Sequence, residues 1–224
     1  MILMKRLIFI IIIVIIILYF QYSYINNHNN SYEILQYQNP NKGIFENMMQ
    51  ERLISIFTEI PFIYSDILSD NNIIITKYLS GNKKDKGLVN SLIAENLSYY
   101  DIPLNISNKS LIKIEVAEFK TPLTIQKNYR QIIYQLEGTR RFYIFSPNNK
   151  NKLYFKNNKT SIDLWNQNTQ THPLLNEATF IEVILRENQM IYIPYSWIYA
   201  SKTDDNNLTI EYSSESIFTN FLKN

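Results

Sequence analysis

Two stretches decide the architecture: Gln135-Leu136-Glu137-Gly138-Thr139-Arg140-Arg141-Phe142-Tyr143-Ile144-Phe145-Ser146-Pro147 and Met190-Ile191-Tyr192-Ile193-Pro194-Tyr195-Ser196-Trp197. Both are short, rich in β-branched and aromatic residues, and closed by proline, which cannot donate to a strand ladder. The same texture recurs at Leu111–Val116, Ile132–Leu136, Phe180–Leu185 and Leu208–Tyr212, separated by Asn, Pro, Lys and Asp turns. Upstream the period changes. Ile44, Met48, Arg52, Leu53, Ile56 and Phe57 have helical spacing over residues 44–58, and Leu88 to Leu97 suggests a second short helix. Helices followed by many short strands predict a mostly β fold with flanking helices, an antiparallel barrel or double-sheet jelly roll.

The other strong local signal is N-terminal. Lys5 and Arg6 precede fourteen unbroken apolar or aromatic residues, Leu7–Phe20. These would rise about 21 Å as a helix, and continuing to Ile25 gives about 28 Å, close to a ~30 Å hydrocarbon core. Residues 1–25 are therefore expected to be a membrane anchor, the membrane being met by residues 7–25. Lys5 and Arg6 would hold the N-terminus in the cytoplasm, and Tyr19, Tyr22 and Tyr24 would lie at the far interface. A cleaved signal peptide is the competing reading, but Gln21-Tyr22-Ser23-Tyr24 is a poor small-residue cleavage site. Residues 26–42, rich in Asn and turn-formers, read as a polar tether. Residues 43–224 then form a single domain without internal repeats, long enough for one core.

Composition narrows the chemistry. The 224 residues carry no cysteine, two histidines (His28 and His172) and a formal charge of +2. Disulfides, thiolate zinc sites, iron–sulfur clusters and cysteine nucleophiles are excluded. The near-neutral balance argues against nucleic acid as a partner. Sequons at Asn29, Asn96, Asn105, Asn108, Asn158 and Asn207 carry little weight in a chain of 28 asparagines. Arg140, Arg141, Lys150, Lys152, Lys156 and Lys159 occur between residues 138 and 162 with no acidic residue among them. They make either an anion-binding patch or a solvated hairpin and loop. Gly81-Asn82-Lys83-Lys84-Asp85-Lys86-Gly87 fails the phosphate-loop spacing and reads as a loop. Asp204-Asp205 reads as a hairpin turn. Ile217, Phe218, Phe221 and Leu222 have helical spacing, suited to packing on the barrel or to a homodimer.

With Thr121-Pro122-Leu123 placed ahead of the two opening stretches, the order and spacing resemble the cupin-like, JmjC-like hydroxylases, in particular their asparaginyl-hydroxylase-like branch. Ser161-Ile162-Asp163, His172-Pro173 and Glu182–Leu185 resemble the intervening segment, so the likeness covers roughly residues 110–213. It implies a double-stranded β-helix whose mouth holds iron(II) and 2-oxoglutarate.

In that family two histidines and a carboxylate ligate the metal, in the patterns T-P-x-H-x-D and P-x-x-W-x-H. The corresponding positions here are Thr124, Gln126 and Tyr199. A one-residue shift substitutes Ile125 and Lys127, which is no better. A hydroxyl, an amide and a phenol lack the basicity and charge to hold a divalent cation, so no metal and no cofactor is expected. Thr121 and Arg140 match the family residues that grip the distal carboxylate of 2-oxoglutarate, so they are the candidate vestigial carboxylate site. The alternative is that both simply start strands. Asn188 replaces the glycine of a family turn and is the residue best able to adopt positive φ in its place. Trp197 and Tyr199 are expected to fill the emptied mouth.

Together these readings predict a membrane-anchored, non-catalytic binding or scaffold domain with a protein or small-molecule partner, a pseudoenzyme with no catalytic residue to name. The alternative is a divergent 2-oxoglutarate-dependent oxygenase, or another enzyme, using a non-standard site.

Overall fold

All six strand-like runs become strands in the computed structural model, which describes residues 2–26, 29–41, 43–44, 47, 51–59, 107–116, 118–166, 172–205 and 207–216. The described strands, in chain order, are β1 (Ile34–Gln38), β2 (Ile54–Thr58), β3 (Ser107–Val116), β4 (Thr124–Ile125), β5 (Arg130–Glu137), β6 (Arg140–Phe145), β7 (Ile181–Leu185), β8 (Gln189–Tyr192), β9 (Ile198–Thr203) and β10 (Leu208–Ser216). They form two sheets, one ordered β1-β2-β8-β5-β10-β3 and the other β4-β9-β6-β7. Every pairing is antiparallel except β1 with β2.

Pairing register assigns the faces, because side chains alternate across a strand. On the four-stranded sheet, Tyr199 and Ser201 of β9 lie beside Ile144 and Phe142 of β6, and Val183 and Leu185 of β7 lie beside Phe142 and Arg140. Ile54, Ile133, Ile191, Ile193 and Trp197 cluster with them, so this face meets the six-stranded sheet. The opposite face of the four-stranded sheet carries Ile198, Ala200 and Phe145, packed under Leu123, Leu153, Phe155, Ile162 and Leu164 of the connecting segments. Fully burying such side chains contributes about 1.5–3 kcal/mol each.

One turn depends on its special residue. Asn188 adopts φ 61° between β7 and β8. Its N–H donates to Gln135 O at 2.8 Å, and Tyr134 Oη donates to its Oδ1 at 3.3 Å. Asparagine therefore does stand at positive φ where the sequence placed it.

Several expectations change. Ile54–Thr58 is a strand, not the end of a helix over 44–58. Its partner β8 provides a ladder that outweighs the 3.6-residue spacing. Within the stretch read as tether, Ile34–Gln38 is a strand hydrogen-bonded to β2. Asp204-Asp205 links β9 to β10 across the two sheets and closes no hairpin. The expected helices at 88–97 and 217–222, the loop at 81–87 and His28 lie outside the described residues.

The N-terminal helix α1 runs Ile2–Asn26, with exposed apolar side chains from Met4 to Phe20. The expected transmembrane span at 7–25 finds no support here: among the described residues no helix is long and apolar enough to cross a membrane.

Candidate functional site

Strands β4 and β9 bring two of the three expected metal positions together. Thr124 is the register partner of Tyr199. Gln126 follows two residues on, its N–H donating to Trp197 O at 2.7 Å while Ser196 N–H donates to Gln126 O at 2.8 Å. The side chains are committed elsewhere. Thr124 Oγ1 donates to Pro122 O at 2.9 Å. Buried Gln126 donates through Nε2 to Asn128 O and Ile193 O, at 3.0 and 3.2 Å, and its Oε1 accepts from Asn128 N–H at 2.6 Å. Both its amide atoms thereby serve backbone groups, of Asn128 in the loop after β4 and of Ile193 after β8.

Tyr199 packs inside the apolar cluster, its ring 6.4 Å from that of Phe142. Burial, then repulsion from Glu211, pushes its phenol well above the ordinary tyrosine range, only partly opposed by Arg140. It remains a neutral phenol, a poor cation ligand. Trp197 is fully buried beside it. The residues at the three positions therefore do not fit an iron(II) ion. Among the described residues, no group of three or more His, Asp or Glu side chains is placed to hold a metal.

Thr121 and Arg140 do meet, through a residue that sequence reasoning missed. Ser201 Oγ lies 3.0 Å from Thr121 Oγ1 and accepts from Arg140 Nε and Nη2 at 3.0 and 2.8 Å. Thr121 is also tied to the Ser201 backbone, its Oγ1 accepting from Ser201 N–H at 2.6 Å.

Arg140 is completely buried and projects from β6 between the sheets. There Nη1 donates to Glu115 Oε2 of β3 at 3.0 Å and Nη2 to Glu211 Oε1 of β10 at 2.7 Å. Lys113 Nζ makes a further ion pair with Glu115. Burial chiefly, then the Glu211 carboxylate, raises the Glu115 pKa, while Arg140 and Lys113 pull it down.

Register explains the convergence. Glu115 pairs with Thr209 and Glu211 pairs with both Lys113 and Ile133, so Lys113, Glu115, Thr209 and Glu211 share the interior face of the six-stranded sheet with Ile133. The polar end is closed by Gln135, whose Nε2 donates to Asn207 Oδ1 at 2.7 Å and whose Oε1 accepts from Thr209 at 2.9 Å. The signal in sequence was the alternation Lys113-Ile114-Glu115, which gives charges to one face. It does not say that this face points inward.

Among the described residues, two surface cavities lie elsewhere. One of about 500 Å³ beside Pro122 is lined by Lys120, Ser161, Asp163 and Trp165. The other, of about 650 Å³ between β1 and β7, is lined by Tyr37, Thr58, Glu182, Arg186 and Gln189. His172, in a connecting segment, lies with Nε2 3.0 Å from Ser161 Oγ.

The basic run resolves into separate roles. Arg140 is interior, Arg141 pairs with Glu182, and Lys152 Nζ donates to Glu177 O at 2.9 Å. Lys150, Lys156 and Lys159 are exposed.

Two packed, mainly antiparallel sheets, with a threonine, an arginine and the three mouth positions gathered where β4, β6 and β9 meet, are consistent with a jelly roll of the cupin type. Residues 123–220 match the cupin-like domain family, and the protein carries a cupin-like domain. No curated protein matches the chain.

Proposed function

We propose that the protein is a membrane-held, non-catalytic cupin-like domain that acts by binding a protein or small-molecule partner. One observation carries the non-catalytic reading: the arginine expected to grip a cosubstrate carboxylate is engaged by Glu115, Glu211 and Ser201 of its own chain. A free organic acid would have to displace two carboxylates already in charge-assisted bonds. Gln126 and Tyr199 support the same reading, one bonded to the backbone of Asn128 and Ile193 and the other packed as core.

The membrane reading rests on α1. An exposed helix that is apolar on every side has no polar face for water, so a bilayer is its natural solvent. The whole helix, 25 residues, rises about 37 Å, against a hydrocarbon core of ~30 Å. We place it as a single pass with Lys5 and Arg6 in the cytoplasm.

Both halves are testable on the full chain. Millimolar 2-oxoglutarate should leave the melting temperature unchanged, whereas a rise would restore the carboxylate site. Alkaline carbonate should leave the protein in the membrane pellet, and release into the supernatant would remove the anchor.

A further inference from the structure

We propose that the lobe between β6 and β7 lies against the bilayer and contacts anionic lipid headgroups through Lys150, Lys156 and Lys159. The proposal rests on the seating of α1 in a membrane.

The connection from helix to domain is short. α1 ends at Asn26, and Tyr32 is already locked into the domain. Its hydroxyl accepts from Ser146 N–H at 3.1 Å and from Asn149 Nδ2 at 2.8 Å, and donates to Thr179 O. Its ring meets Trp197 edge-on at 5.8 Å. Six residues of extended chain reach at most about 21 Å, so the Tyr32 attachment cannot stand far from the end of the helix.

The lysines belong to that attachment. Lys150 directly follows Asn149, and Phe155 N–H donates to Lys150 O at 3.2 Å, bringing Lys156 beside it. Phe155 and Leu153 are buried, which fixes the lobe to the four-stranded sheet.

Lys156-Asn157-Asn158-Lys159 is a tight two-residue turn, with Asn157 and Asn158 at φ 48° and 63°. Lys156 N–H donates to Lys159 O at 2.8 Å and Lys159 N–H to Lys156 O at 3.0 Å. Residues so paired project from the same face, so two ammonium groups stand side by side. Like charges directly opposite are unfavourable. Among the described residues no carboxylate forms an ion pair with Lys150, Lys156 or Lys159. A surface of anionic phosphate headgroups would turn this repulsion into attraction.

The test uses the full chain in nanodiscs of zwitterionic or of anionic lipid, with an uncharged acylating reagent and mass spectrometry to read each lysine's reaction rate. Anionic discs should slow Lys150, Lys156 and Lys159 several-fold, and high salt should remove the slowing. Lys202, paired with Arg141 at the other end of β6, is the internal control and should react alike in both discs. Equal rates for the three lysines in the two lipids would overturn the proposal while leaving the anchor intact. Equal slowing by inorganic phosphate in zwitterionic discs would reassign the lysines to a free anion and overturn it too. A chain that enters neither disc would overturn the anchor, and this proposal with it.

Discussion

Arg140 and Glu115 face each other across the interior of the two-sheet fold, Nη1 to Oε2 at 3.0 Å, with the guanidinium fully buried and the carboxylate almost so. Glu211 completes the neutralisation from the adjacent strand β10. Such a cluster contributes modestly when whole and costs heavily when broken, because a removed partner leaves a charge stranded away from water. Arg140→Met is therefore expected to lower unfolding free energy by about 3–5 kcal/mol, read from urea denaturation.

The pH dependence follows from Glu115. Its carboxyl titrates higher in the folded chain than in the unfolded one, so its contribution to stability is present below the unfolded value and is lost as pH rises through the folded one. Glu115→Gln removes that loss. Relative to the variant, wild type should become progressively less stable as pH rises from about 4 through the raised value. A constant difference across that range would show that Glu115 titrates normally.

Removing one internal carboxylate should create the site that the wild-type fold closes. In Glu211→Ala, Arg140 Nη2 loses its partner and space opens beside Ser201. Millimolar acetate or 2-oxoglutarate should then raise the variant's melting temperature by a few degrees without affecting wild type, measured by differential scanning fluorimetry.

Tyr32→Phe tests the junction between helix and domain. Loss of the hydroxyl strands the Ser146 N–H and the Thr179 carbonyl, for about 1–3 kcal/mol. Faster hydrogen exchange at β1 and at the Ser146 amide would register it.

Much of this arrangement was legible in sequence. Alternation identified six strands, because Phe142, Ile144, Val183 and Leu185 must face one core. The short strands β1, β2, β4 and β9 were not, since each is defined by its partner rather than its own pattern: Ile198–Thr203 mixes Ser, Lys and Thr yet lies between β4 and β6. Thr121 and Arg140 were found, but their connecting residue Ser201 was not. Nothing in Tyr199-Ala200-Ser201 marks a serine as the meeting point of Thr121 and Arg140, 80 and 61 residues away. Glu115 and Glu211 carried the same ambiguity, because a charged residue in an alternating strand is normally on the wet face. The inward choice becomes visible only when β10 is seen to carry Glu211 beside Lys113 and opposite Arg140.

The central claim is that the cupin-like fold is kept while its mouth is closed by the chain's own side chains. Iron content and 2-oxoglutarate turnover of the full-length protein, purified in detergent and supplied with iron(II), test it most directly. The account predicts iron far below one equivalent and no succinate above background. Stoichiometric iron accompanied by turnover would contradict it.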